Sequence, residues 1–253
     1  MAVQAGVDGC RGGWIAAVAE IDAQPEIRVF GRFAALVDAL PEDALIAVDM
    51  PIGLPECSGP GGRGPEKLVR PLLGMRQSSV FSIPSRAAVY SSMAPASSGD
   101  DGWLAAHRRA SAAARETSDP PRGVSIQAFG LFAKIRELDT LLRENPPLRD
   151  RVFETHPELC FWRLNGRRPL CEPKKVKGAV YAPGLAERRR LLATAGFDAD
   201  RVAALPPAGA AEDDLLDALA VLGAARNRAA GRQITFPDPP ARDAHGLPIA
   251  ISC

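Results

Sequence analysis

Val3-Gln4-Ala5-Gly6-Val7-Asp8-Gly9-Cys10-Arg11-Gly12-Gly13-Trp14-Ile15-Ala16-Ala17-Val18-Ala19-Glu20 is the stretch that decides the fold. A short apolar run over 3–7 ends at an aspartate. The pair Gly12-Gly13 supplies a turn, and a second apolar run covers 14–20. This is the pattern of two buried strands joined by a tight connection. Working outward, residues 27–30 read as a third strand and 33–40 carry apolar residues at helical spacing. Residues 45–48 form a continuous apolar run of the kind found in the buried middle of a sheet. An antiparallel set followed by a crossover helix implies a mixed sheet, so the expected class is α/β.

After Asp49 the character changes. Residues 50–55 read as rigid loop, 57–65 as a Gly/Pro-rich mobile loop, 66–73 as helix and 93–102 as another soft stretch. Residues 126–142 form an amphipathic helix with Phe129, Phe132, Ile135, Leu138 and Leu142 along one side. Residues 151–154 are a short strand ending in an acid, and 186–195 and 213–230 are helices. Residues 208–211 connect into the last helix. The tail is extended and proline-rich over 236–240, with a short apolar piece at 247–251. No repeat and no linker is visible. The expectation is a single domain over 1–253, with insertions at about 55–150 and 160–205.

Composition narrows the class. The chain has 253 residues, 46% of them hydrophobic, which is enough for a sizeable core. No apolar run approaches a membrane span and no signal pattern opens the chain, so a soluble cytoplasmic protein is expected. The five cysteines lack CxxC spacing, which argues against a zinc knuckle and for reduced, structural thiols. A net charge of +1 does not suit strong non-specific binding to nucleic acid. Charge is uneven, however: between Arg167 and Arg190 eight basic residues face Glu172 and Glu187. That stretch reads either as a solvated face or as a patch for phosphates.

The chemistry lies in the aspartates. Asp8 and Asp49 each end an apolar strand. Asp214 and Asp217 stand three apart at the head of the last helix and share a face. Several carboxylates converging from different parts of a fold suit two divalent ions, and an all-oxygen donor set suits Mg²⁺ or Mn²⁺. Asp213 reads either as the cap of that helix, the preferred reading, or as sharing a face with Asp217 at i, i+4. Glu154 ends a strand and is followed by His156; the pair is a candidate for a further ligand or a proton shuttle. The segment Arg76-Gln77-Ser78-Ser79-Val80-Phe81-Ser82-Ile83-Pro84-Ser85-Arg86 is rich in hydroxyls and bracketed by arginines. Such a segment can hold phosphate by charge-assisted hydrogen bonds, with Arg76, Ser82, Ser85 and Arg86 as the candidates and Arg70 nearby. The competing reading is an ordinary turn whose Val80, Phe81 and Ile83 plug the core. His107 and His245 receive no role.

Several blocks together resemble a known family. They are Gly6-Val7-Asp8-Gly9-Cys10-Arg11-Gly12-Gly13-Trp14, Ala47-Val48-Asp49-Met50-Pro51-Ile52-Gly53-Leu54, the segment 78–86, Phe153-Glu154-Thr155-His156-Pro157-Glu158, Lys174-Lys175 and the helix head at 213–220. In this order they resemble the predicted-nuclease family numbered 429 among domains of unknown function. The resemblance implies an RNase H-like mixed sheet flanked by helices. The last helix is also similar to that of RuvC-type resolvases, in Asp214 and Asp217-Ala218-Leu219-Ala220. Members of that family usually carry a Cys/Ala-Asp pair after the Gly-Arg of the 57–65 loop; Gly62-Arg63-Gly64-Pro65-Glu66 stands in its place here, so if that Asp belongs to the site, Glu66 must replace it.

The expectation is a metal-dependent nuclease. In it Asp8 bridges two ions, Asp49 and Asp217 hold one each, and Asp214 completes the set. Arg76, Arg86, His156, Lys174 and Lys175 then meet the substrate phosphates. Two other readings stay open. One is a non-catalytic module that binds a partner or a small anion. The other is an actin-like or sugar-kinase phosphotransferase, which shares the opening Asp-Gly hairpin but uses two copies of the fold.

Overall fold

The computed structural model describes residues 3–21, 23–91, 93 and 102–253. Five strands make one sheet: β1 (Gln4–Cys10), β2 (Gly13–Ala19), β3 (Glu26–Phe30), β4 (Leu45–Val48) and β5 (Val152–Glu154), in the order β3-β2-β1-β4-β5. β1, β2 and β3 are antiparallel neighbours, while β4 runs parallel to β1 and β5 parallel to β4. The mixed α/β class read from the sequence is therefore the one observed.

Ten helices accompany the sheet among the described residues. They are α1 (Phe33–Asp38), α2 (Pro65–Val69), α3 (Arg86–Ser91), α4 (Gly102–Glu116), α5 (Ile126–Gly130), α6 (Phe132–Glu144), α7 (Pro157–Leu164), α8 (Ala182–Thr194), α9 (Ala199–Ala203) and α10 (Glu212–Ala229). Alternate residues of each strand point to opposite faces. One face, with Ala5, Val7, Trp14 and Val48, packs on α1, α3, α4 and α6. The other, with Cys10, Ile15, Ala17 and Ala47, packs on α7, α8 and α10. Trp14 is fully buried on the first face, edge-on to Phe33 at 5.1 Å. Its indole N–H donates to Glu137 at 3.1 Å, so its polar end is satisfied.

Gly6 sets the distance between sheet and helix on the second face. A Cβ there would stand 2.0 Å from the Leu222 nitrogen and 2.3 Å from the Ala218 oxygen. α10 therefore lies backbone-to-backbone on β1, which only glycine permits. Asp8, two residues on, points to the same face as Gly6 and so toward the head of α10.

Several boundaries differ from the sequence reading. β1 runs to Cys10 rather than ending at Val7, because its hairpin with β2 pairs through Cys10 and Gly13. Asp8 is thus inside a strand, not at its end. The helix expected over 126–142 is two, α5 and α6, parted at Leu131 just after Gly130. α2 stops at Val69 and a 3₁₀ segment over Arg70–Ser79 follows, kinked at Gly74 with φ 51°. The tail forms a hairpin, β8 (Thr235–Arg242) with β9 (Pro248–Ser252), joined to the main sheet by a bridge from Thr155 to Ser252. A small exposed hairpin, β6 (Lys175–Val176) with β7 (Ala179–Val180), carries Lys175. The soft stretch expected at 93–102 lies, apart from its two ends, outside the described residues. All five cysteines are free thiols. Among the described residues no helix is long and apolar enough to cross a membrane.

Candidate functional site

The aspartates converge. Asp8 on β1, Asp49 just after β4 and Asp217 on α10 act directly on one another. Burial raises the Asp8 carboxyl well above the usual range, and Asp49, Asp217 and Asp214 add to it. Burial pushes Asp49 up to about 7, with the negative charge of Asp217 second and a side-chain hydrogen bond to Asp8 working against the shift. Charges this close in a buried place resist joint ionisation.

Lys174 supplies the counter-charge. Its ammonium is ion-paired with Asp217 Oδ2 and stands 3.7 Å from Asp213 Oδ2, while Lys175 reaches Asp213 Oδ2 at 2.6 Å. Burial works against the Lys174 ammonium, but Asp217, Asp8 and Asp213 outweigh it and hold its pKa above the ordinary lysine value. The loop is fixed by a second close approach. A Cβ on Gly184 of α8 would overlap the Pro173 oxygen at 1.8 Å, so α8 presses on the residue before Lys174. Asp213 and Asp217 are fully buried, and each leaves its Oδ1 without a hydrogen-bond partner.

The preferred reading of Asp213 as a helix cap is overturned. The N-cap is Ala211, which has no side-chain acceptor; Asp214 Oδ2 instead reaches back to the Ala211 N–H at 2.9 Å. Asp213 lies one turn before Asp217 on the same face. Asp214, half-buried and spent partly on its own helix end, is a weaker fourth acid than Asp213.

A cavity of about 160 Å³ opens beside Asp8 and Asp49. Its wall is largely apolar, with Met50, Val80, Phe81, Ile83 and Leu131. Polar groups enter it from Arg63, Glu66, Lys134, Glu154 and His156. Glu154 stands here as expected, but Arg63 grips it in two hydrogen bonds of 2.6 and 2.9 Å. The Ile52 N–H donates to the same carboxylate at 2.7 Å. Arg63 also binds Glu66 at 2.8 Å. Arg63 and Glu66 are almost wholly inaccessible and Glu154 nearly so. The 57–65 loop is anchored through Arg63. His156 caps α7: its Nδ1 accepts from the Glu158 N–H at 3.2 Å, which leaves the proton on Nε2 for the Ser79 carbonyl at 3.3 Å. Burial lowers its pKa. It lines the cavity as a neutral ring rather than a cation for phosphate.

The arginine-bracketed segment divides. Arg86 is a part-buried structural residue, ion-paired with Asp139 at 2.5 Å and Asp243 at 2.7 Å, and Ser85 is fully buried against Thr117. Neither lines the carboxylate cavity, and nor does Arg76. Ser82 accepts from Arg70 at 2.8 Å on the far side of Phe81. In the 167–190 stretch, half of the basic residues are taken up by acids: Lys174 and Lys175 as above, Arg188 by Glu158 and Arg189 by Glu212. Lys134 and Arg63 went unread in the sequence. Lys134 crosses Gly9, whose would-be Cβ lies 2.9 Å from its Cδ, and its ammonium stacks over Trp14 at 4.5 Å.

The raised carboxyls have a stability consequence. The folded chain holds protons on Asp8 and Asp49 at pH values where the unfolded chain, with an ordinary aspartate value near 3.8, has lost them. The stability they contribute is complete below that value and is lost as pH rises through about 7. In metal-free buffer the melting temperature is expected to fall between about pH 5 and pH 7.5, and Asp49→Asn should flatten the fall. A melting temperature that rises across this window would contradict the assignment.

Among the described residues no three His, Cys, Asp or Glu side chains stand in an arrangement that would hold a metal ion as they are. The donors nevertheless fit a hard divalent cation in kind: all are carboxylate oxygens, and two are buried with no partner. The Lys174 ammonium is paired with one of these acids, Asp217.

Comparison with known proteins gives one match. Residues 6–242 match the model of a family described as Protein of unknown function (DUF429). No curated protein and no solved structure matches the chain.

Proposed function

This chain belongs to the DUF429 family, and we propose that it is an RNase H-like, divalent-metal-dependent hydrolase of phosphodiester bonds in nucleic acid. The observation that carries the reading is the convergence of Asp8 on β1, Asp49 just after β4, and Asp213 and Asp217 on α10 around Lys174. The sheet order β3-β2-β1-β4-β5, with β2 alone running against the other four strands, supports the RNase H-like part.

Asp8, Asp49 and Asp217 would hold Mg²⁺ or Mn²⁺, with Asp213 or Asp214 completing the set. The bound ions would supply a nucleophilic hydroxide at neutral pH and charge for the leaving oxygen. The chain's own part is positioning. Gly6 fixes α10 against β1 and so fixes Asp217 relative to Asp8. Arg63 ties Glu154 and the Met50–Gly53 turn together through Ile52 and Gly53, which steadies Asp49 at the start of that turn. The apolar wall from Met50 to Leu131 limits water near the acids. Lys174 neutralises the acids when no divalent ion is present.

A second reading, a module that binds a small anion without turnover, draws support from the pairing of Lys174 with Asp217 and from the small volume of the cavity.

If Lys174 and a divalent ion compete for Asp217, Lys174→Met should lower the metal-free melting temperature and enlarge its rise in Mn²⁺. Breaking a buried pair costs about 3–5 kcal/mol. Lys174 keeps 30% of its side-chain surface exposed, which brings the expected cost to about 2 kcal/mol. Thermal melts of wild type and variant, with EDTA or Mn²⁺, read this directly. Melts indifferent to Mn²⁺ in both proteins would remove the metal from the proposal.

A further inference from the structure

We propose that the cleft on the far side of Phe81 from the carboxylates is an anion site for a phosphoryl group. This cleft, of about 420 Å³, shares Val80, Phe81 and Ile83 with the carboxylate cavity, so the two sites are neighbours through one wall. Arg70 and Arg122 line it together with Ser78 and Ser82, and no carboxylate lines it among the described residues.

Arg70 is pre-set for the task. Its Nε donates to the Val80 carbonyl at 2.9 Å, one Nη1 hydrogen to the Gly61 carbonyl at 2.7 Å and one Nη2 hydrogen to Ser82 Oγ at 2.8 Å. A guanidinium has five N–H donors, so two remain, one on each terminal nitrogen. Both are left for the oxygens of a phosphate, which accept charge-assisted hydrogen bonds from a guanidinium. Gly61 and Gly62, at φ 93° and 119°, let the backbone turn closely around the guanidinium. Glu66 is the acid that acts on Arg70 electrostatically, and it is bound by Arg63. Arg122 is exposed at the rim and adds a second positive charge. A cleft of this sign beside a carboxylate cluster offsets the repulsion an anionic ligand would meet there.

That the phosphoryl group belongs to a nucleic-acid substrate rests on the function proposed above; the anion site itself does not. The test uses the full chain in EDTA, so that turnover plays no part. Two probes are titrated: inorganic pyrophosphate by calorimetry, and a fluorescent single-stranded oligonucleotide by anisotropy. Each variant is first checked by thermal melting. Arg122→Ala removes an exposed charge, and Arg70→Lys keeps the charge but loses the guanidinium. Each is expected to weaken pyrophosphate binding about tenfold, as loss of a charge-assisted pair would. For the oligonucleotide, Arg122→Ala should also reduce the slope of log affinity against log salt by about 0.7. Pyrophosphate binding that is lost in the variants, with no oligonucleotide binding by wild type, would uphold the anion site and assign it to a small phosphate ligand. Wild type that binds neither probe would overturn it, as would folded variants that bind both as wild type does.

Discussion

Gly6→Ala is expected to cost about 3 kcal/mol of stability, the upper end of ordinary overpacking. The added carbon would stand 2.0 Å from the Leu222 nitrogen and 2.3 Å from the Ala218 oxygen, both of them helix backbone. A flexible side chain could yield; a helix can only move away as a body. α10 carries Asp213, Asp214 and Asp217 and supplies a large share of the core on its face of the sheet, so its displacement would open the site and the core together. Gly223 of the same helix is the control. Nothing lies within 4 Å of the position its Cβ would take, so Gly223→Ala should be neutral or slightly stabilising. Denaturant melts compare the two. A Gly6→Ala protein that melts with wild type would show that the contact between α10 and β1 is not what sets the geometry.

The parts legible in the sequence were those with a short-range pattern. Apolar runs at 45–48 and 14–20 declare strands because burial on both faces leaves no room for polar residues. The acids at the head of α10 declare themselves by spacing. What failed was whatever depends on distant partners. Arg86 between hydroxyls looks like a phosphate binder, but its partners Asp139 and Asp243 lie 53 and 157 residues away. Arg63 looks like part of a soft glycine loop until Glu154, 91 residues on, is brought beside it. The Asp213 error is of another kind. Helix starts are poorly fixed by sequence, and a shift of two residues turns a cap into a buried member of the site. α4 was missed because its buried side chains are Ala110, Ser111 and Ala114, too small to give an apolar stripe.

Asp217→Asn is expected to abolish cleavage while the chain stays folded. Asparagine keeps the shape and one acceptor but removes the charge that a hard cation requires. Loss of even an outer partner of a metal ligand costs about 10–100-fold, so loss of Asp217 itself should exceed 100-fold. The variant also takes a charged partner from Lys174, so its melting temperature should drop modestly rather than rise, even though crowding among the acids is relieved. The most direct measurement is therefore a cleavage panel. Wild type and Asp217→Asn are compared on single-stranded, duplex, hybrid and branched nucleic acids, with Mg²⁺, Mn²⁺ or EDTA. Wild type is expected to turn over at least one substrate in a reaction that requires a divalent ion and disappears in folded Asp217→Asn. Turnover that persists in EDTA, turnover unchanged in Asp217→Asn, or no turnover of any substrate with either ion would contradict that expectation.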